Sequence, residues 1–454
     1  MNMTTRISDL FRWKSNAARG CLAALTVQQL LVASSTVWIT LLIKSVSVGG
    51  GVALYLGLYL GSLAFPYLPG GLALVLLSKW EQKMNRGFLD DFIAGNRSRP
   101  TAWSSKAERE WRISILASES RQTLAQAAEY SYKSAASSMN VFLNILVISV
   151  LVERKFALAY GASLVASALL YRTLLRQQSH LACAAQSGRI GLTRELISAW
   201  DNVVLGNRYN FGRWKEGLDR SFADAAGAAV RLVSFNQLIS VAIACMTLIP
   251  TVSVVVWSVL AKQDDVPALS ALIVVLPRLF MILTSTHELL SLASRWNEQQ
   301  AKLGGILSVL LPFREEIGAR IQWSKISLRS VDGTVAAASP AVLELLTQMP
   351  GRVTISGENG AGKSSLLTML KEKIGADAFF LPAHHALRFA HSSDKGASTG
   401  QSLRRVLEEI ERSVPAKVLL LDEWAANLDS ENREHLSRLI DRIAVGRCVV
   451  EVLH

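Results

Sequence analysis

Apolar residues in this chain gather, before about residue 295, in blocks of roughly 20, the length a helix needs to cross a ~30 Å hydrocarbon core. A buried helix of a soluble protein usually shows a run of only ~10–14 such residues, so blocks this long with few charges predict membrane spans. Lipid offers no partner to backbone N–H and C=O groups, which confines each block to helix. Six spans can be delimited, at about 21–47, 52–78, 134–152, 156–174, 232–260 and 267–293. Short connections join them in pairs, at Gly49-Gly50-Gly51, at Glu153-Arg154-Lys155 and at a loop holding Lys262, Asp264 and Asp265.

The formal net charge is +12 at pH 7, which raises nucleic acid as a partner. The basic residues lie mainly between the spans, however, in the long segments 79–133 and 175–231. Membrane proteins keep Lys and Arg on the cytoplasmic side, so the excess is accounted for by topology, and no nucleic-acid partner is expected. The same rule places the N-terminus, both long loops and the C-terminus in the cytoplasm, with membrane lipid around the spans. Met1–Arg19 is polar and basic, and the apolar run after it is too long for a signal-peptide core, so it reads as a cytoplasmic lead-in. Cys21, Cys183, Cys245 and Cys448 are scattered, with no CxxC and no Cys/His cluster, and suggest neither disulfides nor a zinc site.

Lys79–Ala94 and Arg189–Phe222 mix apolar and charged residues in a helical pattern, as if spans continued into the cytosol. Gly95–Ser105 and Asp201–Asn207 interrupt them, each where a short transverse helix or an ordinary polar loop is expected. Beyond about residue 320 the pattern changes to short β-like runs at Ile321–Leu328, Gly351–Ser356, Ala378–Leu381, Lys417–Leu421 and Cys448–Leu453. Helical stretches fall between most of them, at Lys363–Lys373, Gln401–Arg412 and Ser430–Ala444, which predicts a parallel-sheet α/β domain. No internal repeat or low-complexity tract is present.

Gly357-Glu358-Asn359-Gly360-Ala361-Gly362-Lys363-Ser364 is a full GxxxxGK[ST] match between a strand-like and a helical run, with Ser365 next in line. Glycines let the backbone wrap so that N–H groups and the helix N-terminus face phosphate oxygens. Lys363 is expected at the β- and γ-phosphates of ATP, and Ser364 on Mg²⁺. Val418–Leu421 is an apolar strand ending in Asp422-Glu423; Asp422 is expected to hold Mg²⁺, and Glu423 to orient and deprotonate the attacking water. Ser398-Thr399-Gly400-Gln401 opens the helix before that strand, where it is either a plain cap or a contact to the γ-phosphate of a nucleotide on a second subunit.

Spans first and these motifs after them resemble the ATP-binding cassette (ABC) exporters. Asp422-Glu423-Trp424-Ala425-Ala426 with Ser-Thr-Gly-Gln looks like the subfamily that exports cyclic peptides, peptide siderophores and microcins. The resemblance implies a membrane all-α six-helix transmembrane domain, 1–315, fused to an α/β P-loop nucleotide-binding domain, 316–454. It implies ATP and Mg²⁺, a homodimer in which the second half-transporter supplies the signature motif, and peptide-like cargo. It further implies a multi-pass protein of a bacterial inner (plasma) membrane with its cassette in the cytoplasm. Asn427-Leu428-Asp429 would close the D-loop, and His454 would be the switch histidine.

The chain departs from that pattern in several places. Ala383, His384 and His385 stand where a Q-loop glutamine is expected; a histidine there either lines the nucleotide or metal site or faces water. Trp323 falls too early for the adenine-stacking aromatic and reads as core, and Ser330 takes that place. Only about 58 residues separate Lys363 from Asp422, so the helical subdomain is reduced. These departures leave a rival reading, a catalytically degenerate regulatory half of a heterodimeric transporter; a membrane-anchored P-loop kinase is a third. Within the spans, Arg278 beside Pro277 is expected to meet cargo or an internal partner, Pro66 and Pro69 to kink the second span, and Gln28 and Gln29 to line a cavity.

Overall fold

The computed structural model describes residues 8–48, 50–97, 99–103, 105–151, 154–261, 272, 276–277, 281, 284–286, 288–289, 291–293, 295–311, 317–330, 335–385, 387–390, 399–426 and 428–453. They form two compact units: Met1–Asp90 with Ser118–Ser308, and Asp91–Ala117 with Val309–His454.

The first unit is helical. Its elements are α1 (Asn16–Val48), α2 (Val52–Ala64), α3 (Tyr67–Asn96), α5 (Ser120–Leu151), α6 (Lys155–Ile197), α7 (Arg208–Ala261) and α8 (Trp296–Ser308). Among the described residues five helical stretches are long and apolar enough to cross a membrane: Asn16–Val46, Val52–Asn96, Ser120–Leu151, Lys155–Ile197 and Arg208–Ala261. This is a multi-pass membrane protein. The sixth expected span, 267–293, lies largely outside the described residues, as do Arg278 and the loop at Lys262.

Pro66 breaks the second span between α2 and α3, because a proline nitrogen cannot extend the helix ladder. Phe65 N still bonds Gly61 O at 2.8 Å and Gly70 N bonds Pro66 O at 3.0 Å, so the break leaves few groups unpaired in lipid. Pro69 falls in the first turn of α3, where a missing N–H costs little. Pro250 stands inside α7, a position the sequence pattern does not single out.

Side-chain amides pair between helices where no water competes. Asn140 Nδ2 donates to Gln29 Oε1 at 3.3 Å, and Gln178 Nε2 to Asn236 Oδ1 at 3.0 Å. Gln28 fills the space Gly70 leaves open; a Cβ there would lie 2.7 Å from Gln28 Nε2. Both glutamines expected at a cavity wall therefore meet neighbouring helices. Trp80 is fully buried, and its Nε1 donates to Phe11 O at 2.6 Å. Trp13 packs on Phe11 and Trp80 at ring separations of 5.2 and 5.0 Å, which ties the N-terminal segment to α3.

The second unit is built on a six-stranded sheet in the order β2-β1-β3-β6-β5-β4. Its strands are β1 (Ile326–Ser330), β2 (Val335–Ala337), β3 (Gly351–Gly357), β4 (Ala378–Leu381), β5 (Val418–Asp422) and β6 (Cys448–Val452). The sheet is mixed, where a parallel one was expected: β1 pairs antiparallel with β2 and β3, while β3, β6, β5 and β4 are parallel. The expected strand at Ile321–Leu328 begins only at Ile326, because Trp323–Lys325 forms a 3₁₀ turn whose tryptophan packs on the core, as read from sequence.

Helices α9 (Pro340–Thr347), α10 (Lys363–Ile374), α11 (Thr399–Ser413) and α12 (Ser430–Ala444) complete this unit, with the short α4 (Lys106–Ser114). Strands β5 and β6 are buried at every residue, which is why each reads as a mainly apolar run, broken only by Asp422 and Glu451. One core, around Ile355, Leu366 and Val450, lies under α10; a second, around Leu407, Leu421 and Ile440, lies under α11 and α12. Burial pushes the Cys448 thiol up to about 11.

The segment Asp91–Ala117 belongs to this unit through Arg112, whose guanidinium is almost fully buried. It donates to Glu108 Oε1, to Asn96 Oδ1 at 2.7 Å, and to the carbonyls of Val309 and Leu311 at 2.8 and 3.0 Å. The 3₁₀ turn Pro100–Trp103, within the first expected loop break, packs on α10. The second break, Asp201–Leu205, is a π-helical turn.

Trp80→Ala is expected to cost about 3 kcal/mol or more, the usual loss for emptying a fully buried tryptophan site, and Trp80→Phe markedly less. Thermal unfolding of the detergent-solubilised chain measures the difference.

Candidate functional site

Three parallel strands end level with one another. Ile355 of β3 and Asp422 of β5 both pair with Val452 of β6, so the loops leaving β3 and β5 emerge at the same sheet edge. The carboxyl edge of a parallel sheet is where ligands bind in open α/β folds.

Gly357 leads from β3 into the loop, which turns through Gly360 and Gly362 at φ of 82° and 90°, a left-handed backbone that residues with a Cβ rarely adopt. A Cβ on Gly362 would also lie 2.5 Å from Arg320 O. Ala361 is buried, and its carbonyl accepts from Gln322 N at 3.0 Å, which seats the loop on the segment before β1. Helix α10 starts at Lys363, so its positive end meets the loop.

Lys363 is only 5% exposed, a buried ammonium that needs acceptors. It donates to Gly357 O at 2.8 Å and Glu358 O at 3.3 Å. Glu358, Asn359 and Gly360 are exposed at the tip, and Glu358 pairs with Lys325 at 3.1 Å. Ser364 Oγ donates to Asp422 Oδ1 at 3.0 Å, which joins the two expected Mg²⁺ ligands directly. Ser365 follows, half-buried. A hydroxyl and a carboxylate in contact, an ammonium behind them and a helix N-terminus below form a donor set that fits a magnesium-bound triphosphate.

Glu423, half-buried, has a left-handed φ of 46°, a conformation that is uncommon for a residue with a side chain. It lines a pocket of about 450 Å³ together with Asp422, Trp424, His384, His385 and Ser402. His385 Nδ1 accepts from Leu387 N at 3.2 Å, and its ring meets Phe389 edge-on at 6.0 Å. Burial lowers the His385 pKa, so near neutral pH its imidazole is uncharged. The two histidines at the expected glutamine position thus differ: His384 is exposed, and His385 is half-buried beside the acids.

Thr399, Gly400 and Gln401 open α11 as expected. Gly400 is buried against the Asn432 carboxamide, where a Cβ would fall 2.8 Å from Asn432 Cγ, so packing on α12 requires the glycine. Asp429 caps α12 by accepting from Asn432 N at 2.7 Å. Ser398, Asn427 and His454 lie outside the described residues.

Arg352, Thr354, Trp424 and Glu451 also converge behind the site, a group the motifs do not reveal. The one sequence signal is a glutamate inside the otherwise apolar Cys448–Val452 run.

The fold is that of membrane-length helices in a chain with an α/β unit whose glycine loop lies at the sheet edge. It resembles the solved structure of a bacterial Atm1-family ABC exporter with ATP bound, at a TM-score of 0.66 and 13% identity, over 97% of this chain and 92% of that one. No protein-family profile and no curated protein matches the sequence.

Gly362→Ala is expected to weaken binding of a fluorescent ATP analogue roughly ten- to hundredfold, the equivalent of the ~1–3 kcal/mol of left-handed strain it adds. Gly446→Ala, with open space around its Cβ position, serves as the control.

Proposed function

We propose that the chain is one half of an ABC exporter, coupling ATP hydrolysis to efflux of a peptide-like substrate such as a cyclic peptide, siderophore or microcin. The observation that carries this reading is the Ser364–Asp422 contact at the edge of a sheet in a chain whose described residues also include five membrane-length helices. Residues 1–315 would form the transmembrane domain and 316–454 the nucleotide-binding domain, cytoplasmic beneath a bacterial inner membrane.

Each chain would supply half of two composite sites. Residues Gly357–Ser365 cradle the phosphates; Lys363 exchanges its loop carbonyls for phosphate oxygens; Ser364 and Asp422 hold Mg²⁺. The ion supplies charge neutralisation to the phosphates. Glu423 orients the attacking water and takes its proton, and His454 steadies the γ-phosphate. The Ser398–Gln401 signature serves the nucleotide of the second chain, so a homodimer is the active unit. Closing two such sites draws the cassettes together and turns the cargo cavity outward, and hydrolysis resets it. The peptide class rests on the Asp422–Ala426 and signature resemblance.

Glu423→Gln is expected to abolish ATP turnover in reconstituted vesicles while ATP still binds; retained turnover would sink the mechanism. Turnover by the purified chain alone separates the homodimer from a regulatory half of a heterodimer, which would stay silent without its partner.

A further inference from the structure

A carboxylate inside a fully buried strand is expensive unless every oxygen is bonded. Glu451, in β6, is 1% exposed, and both its oxygens are doubly bonded. Its Oε1 accepts from Arg352 Nε at 2.8 Å and from Thr354 Oγ1 at 2.9 Å. Its Oε2 accepts from Arg352 Nη2 at 2.9 Å and from Trp424 Nε1 at 2.8 Å. Arg352 is itself held from the far side, donating to Ser437 Oγ and Asp441 Oδ1, both at 2.8 Å.

The placement of this cluster gives it meaning. Arg352 and Thr354 lie on β3, which leads into the P-loop, and Thr354 pairs directly with Glu451. Trp424 follows Glu423 in sequence, and Glu451 precedes His454 by three residues. One buried carboxylate therefore joins the strand before the P-loop, the residue after the water-orienting acid, and the strand leading to the switch histidine.

Glu423 needs such an anchor. Its backbone is left-handed, and the turn after it is closed by Ala426 N on Glu423 O at 3.0 Å. On one side Asp422 is fixed through Ser364; on the other, Trp424 is 6% exposed, with its indole N–H on Glu451.

We infer that Glu451 and Trp424 are positioning residues for ATP hydrolysis: the Arg352–Glu451–Trp424 chain fixes the backbone at Glu423 and so the aim of its carboxylate at the attacking water. This rests on the exporter reading only in taking Glu423 as the residue that orients water. A carboxylate with four donors holds one geometry, whereas an apolar side chain in its place would let the indole, and the turn with it, slide.

The test uses the full chain in lipid nanodiscs. Trp424→Phe removes one N–H and keeps the ring; Glu451→Gln keeps the shape and loses the charge. Both are expected to lower kcat for MgATP about tenfold, the scale of one lost charge-assisted hydrogen bond, with KM and nucleotide Kd unchanged within about twofold. The double variant is expected to match the worse single one, since both break the same link. Unchanged kcat in both variants, or equal losses in kcat and nucleotide affinity, would overturn the proposal.

A second measurement does not depend on turnover. With 5-fluorotryptophan incorporated, the Trp424 ¹⁹F line, identified by its loss in Trp424→Phe, is expected to be single and sharp with MgATP. In Glu451→Gln it is expected to shift and broaden or split. A sharp, unshifted line in that variant would refute the anchor even if the wild type proved inactive, whereas an inactive wild type with the expected spectra would count only against the catalytic homodimer.

Discussion

Everything at the carboxyl edge of this sheet depends on three parallel strands ending level. Because Ile355 and Asp422 pair with the same residue, Val452, the glycine loop after β3 and the acidic pair after β5 arrive together without either loop having to reach. The 3.0 Å bond between Ser364 and Asp422 is a consequence of that register. A slip of one residue in β5 would turn Asp422 to the other face and exchange the two cores.

Two buried charges in this unit are satisfied in opposite ways. Lys363 leans on two carbonyls of its own loop. Glu451 is bonded by three side chains, two from the neighbouring strand β3 and one from the turn after β5. The first charge is held by its own loop, and the second by side chains that the neighbouring strand and a packed turn fix in place. Coulomb attraction alone does not distinguish them; the difference lies in how many partners are fixed by the sheet.

Much of this was legible in the sequence because two of its signals are periodic or spaced by physics. Lipid demands long uninterrupted helices, so the five spans among the described residues are legible in the sequence, and the spaced glycines of Gly357–Ser364 mark the turn between β3 and α10. Asp422 and Glu423 followed once the loop was known. The β1–β2 pairing leaves no mark in the sequence because a three-residue edge strand carries almost no pattern, and Ile321–Lys325 reads as strand because a 3₁₀ turn can carry the same apolar residues. The amide pairing of Gln29 with Asn140 could not be seen, since nothing in one helix announces which neighbour it will meet. Glu451 did leave a trace, one charge in a five-residue apolar strand, but its meaning required Arg352, nearly a hundred residues earlier.

The turn at Pro100–Trp103 rests on α10, the helix whose first residues are Lys363 and Ser364, and it follows directly from the end of the long helix α3. A contact of this kind works in both directions. Any displacement of α10 therefore favours one position of the turn, and any shift of the turn must, by the same free energy, bias the first residues of α10.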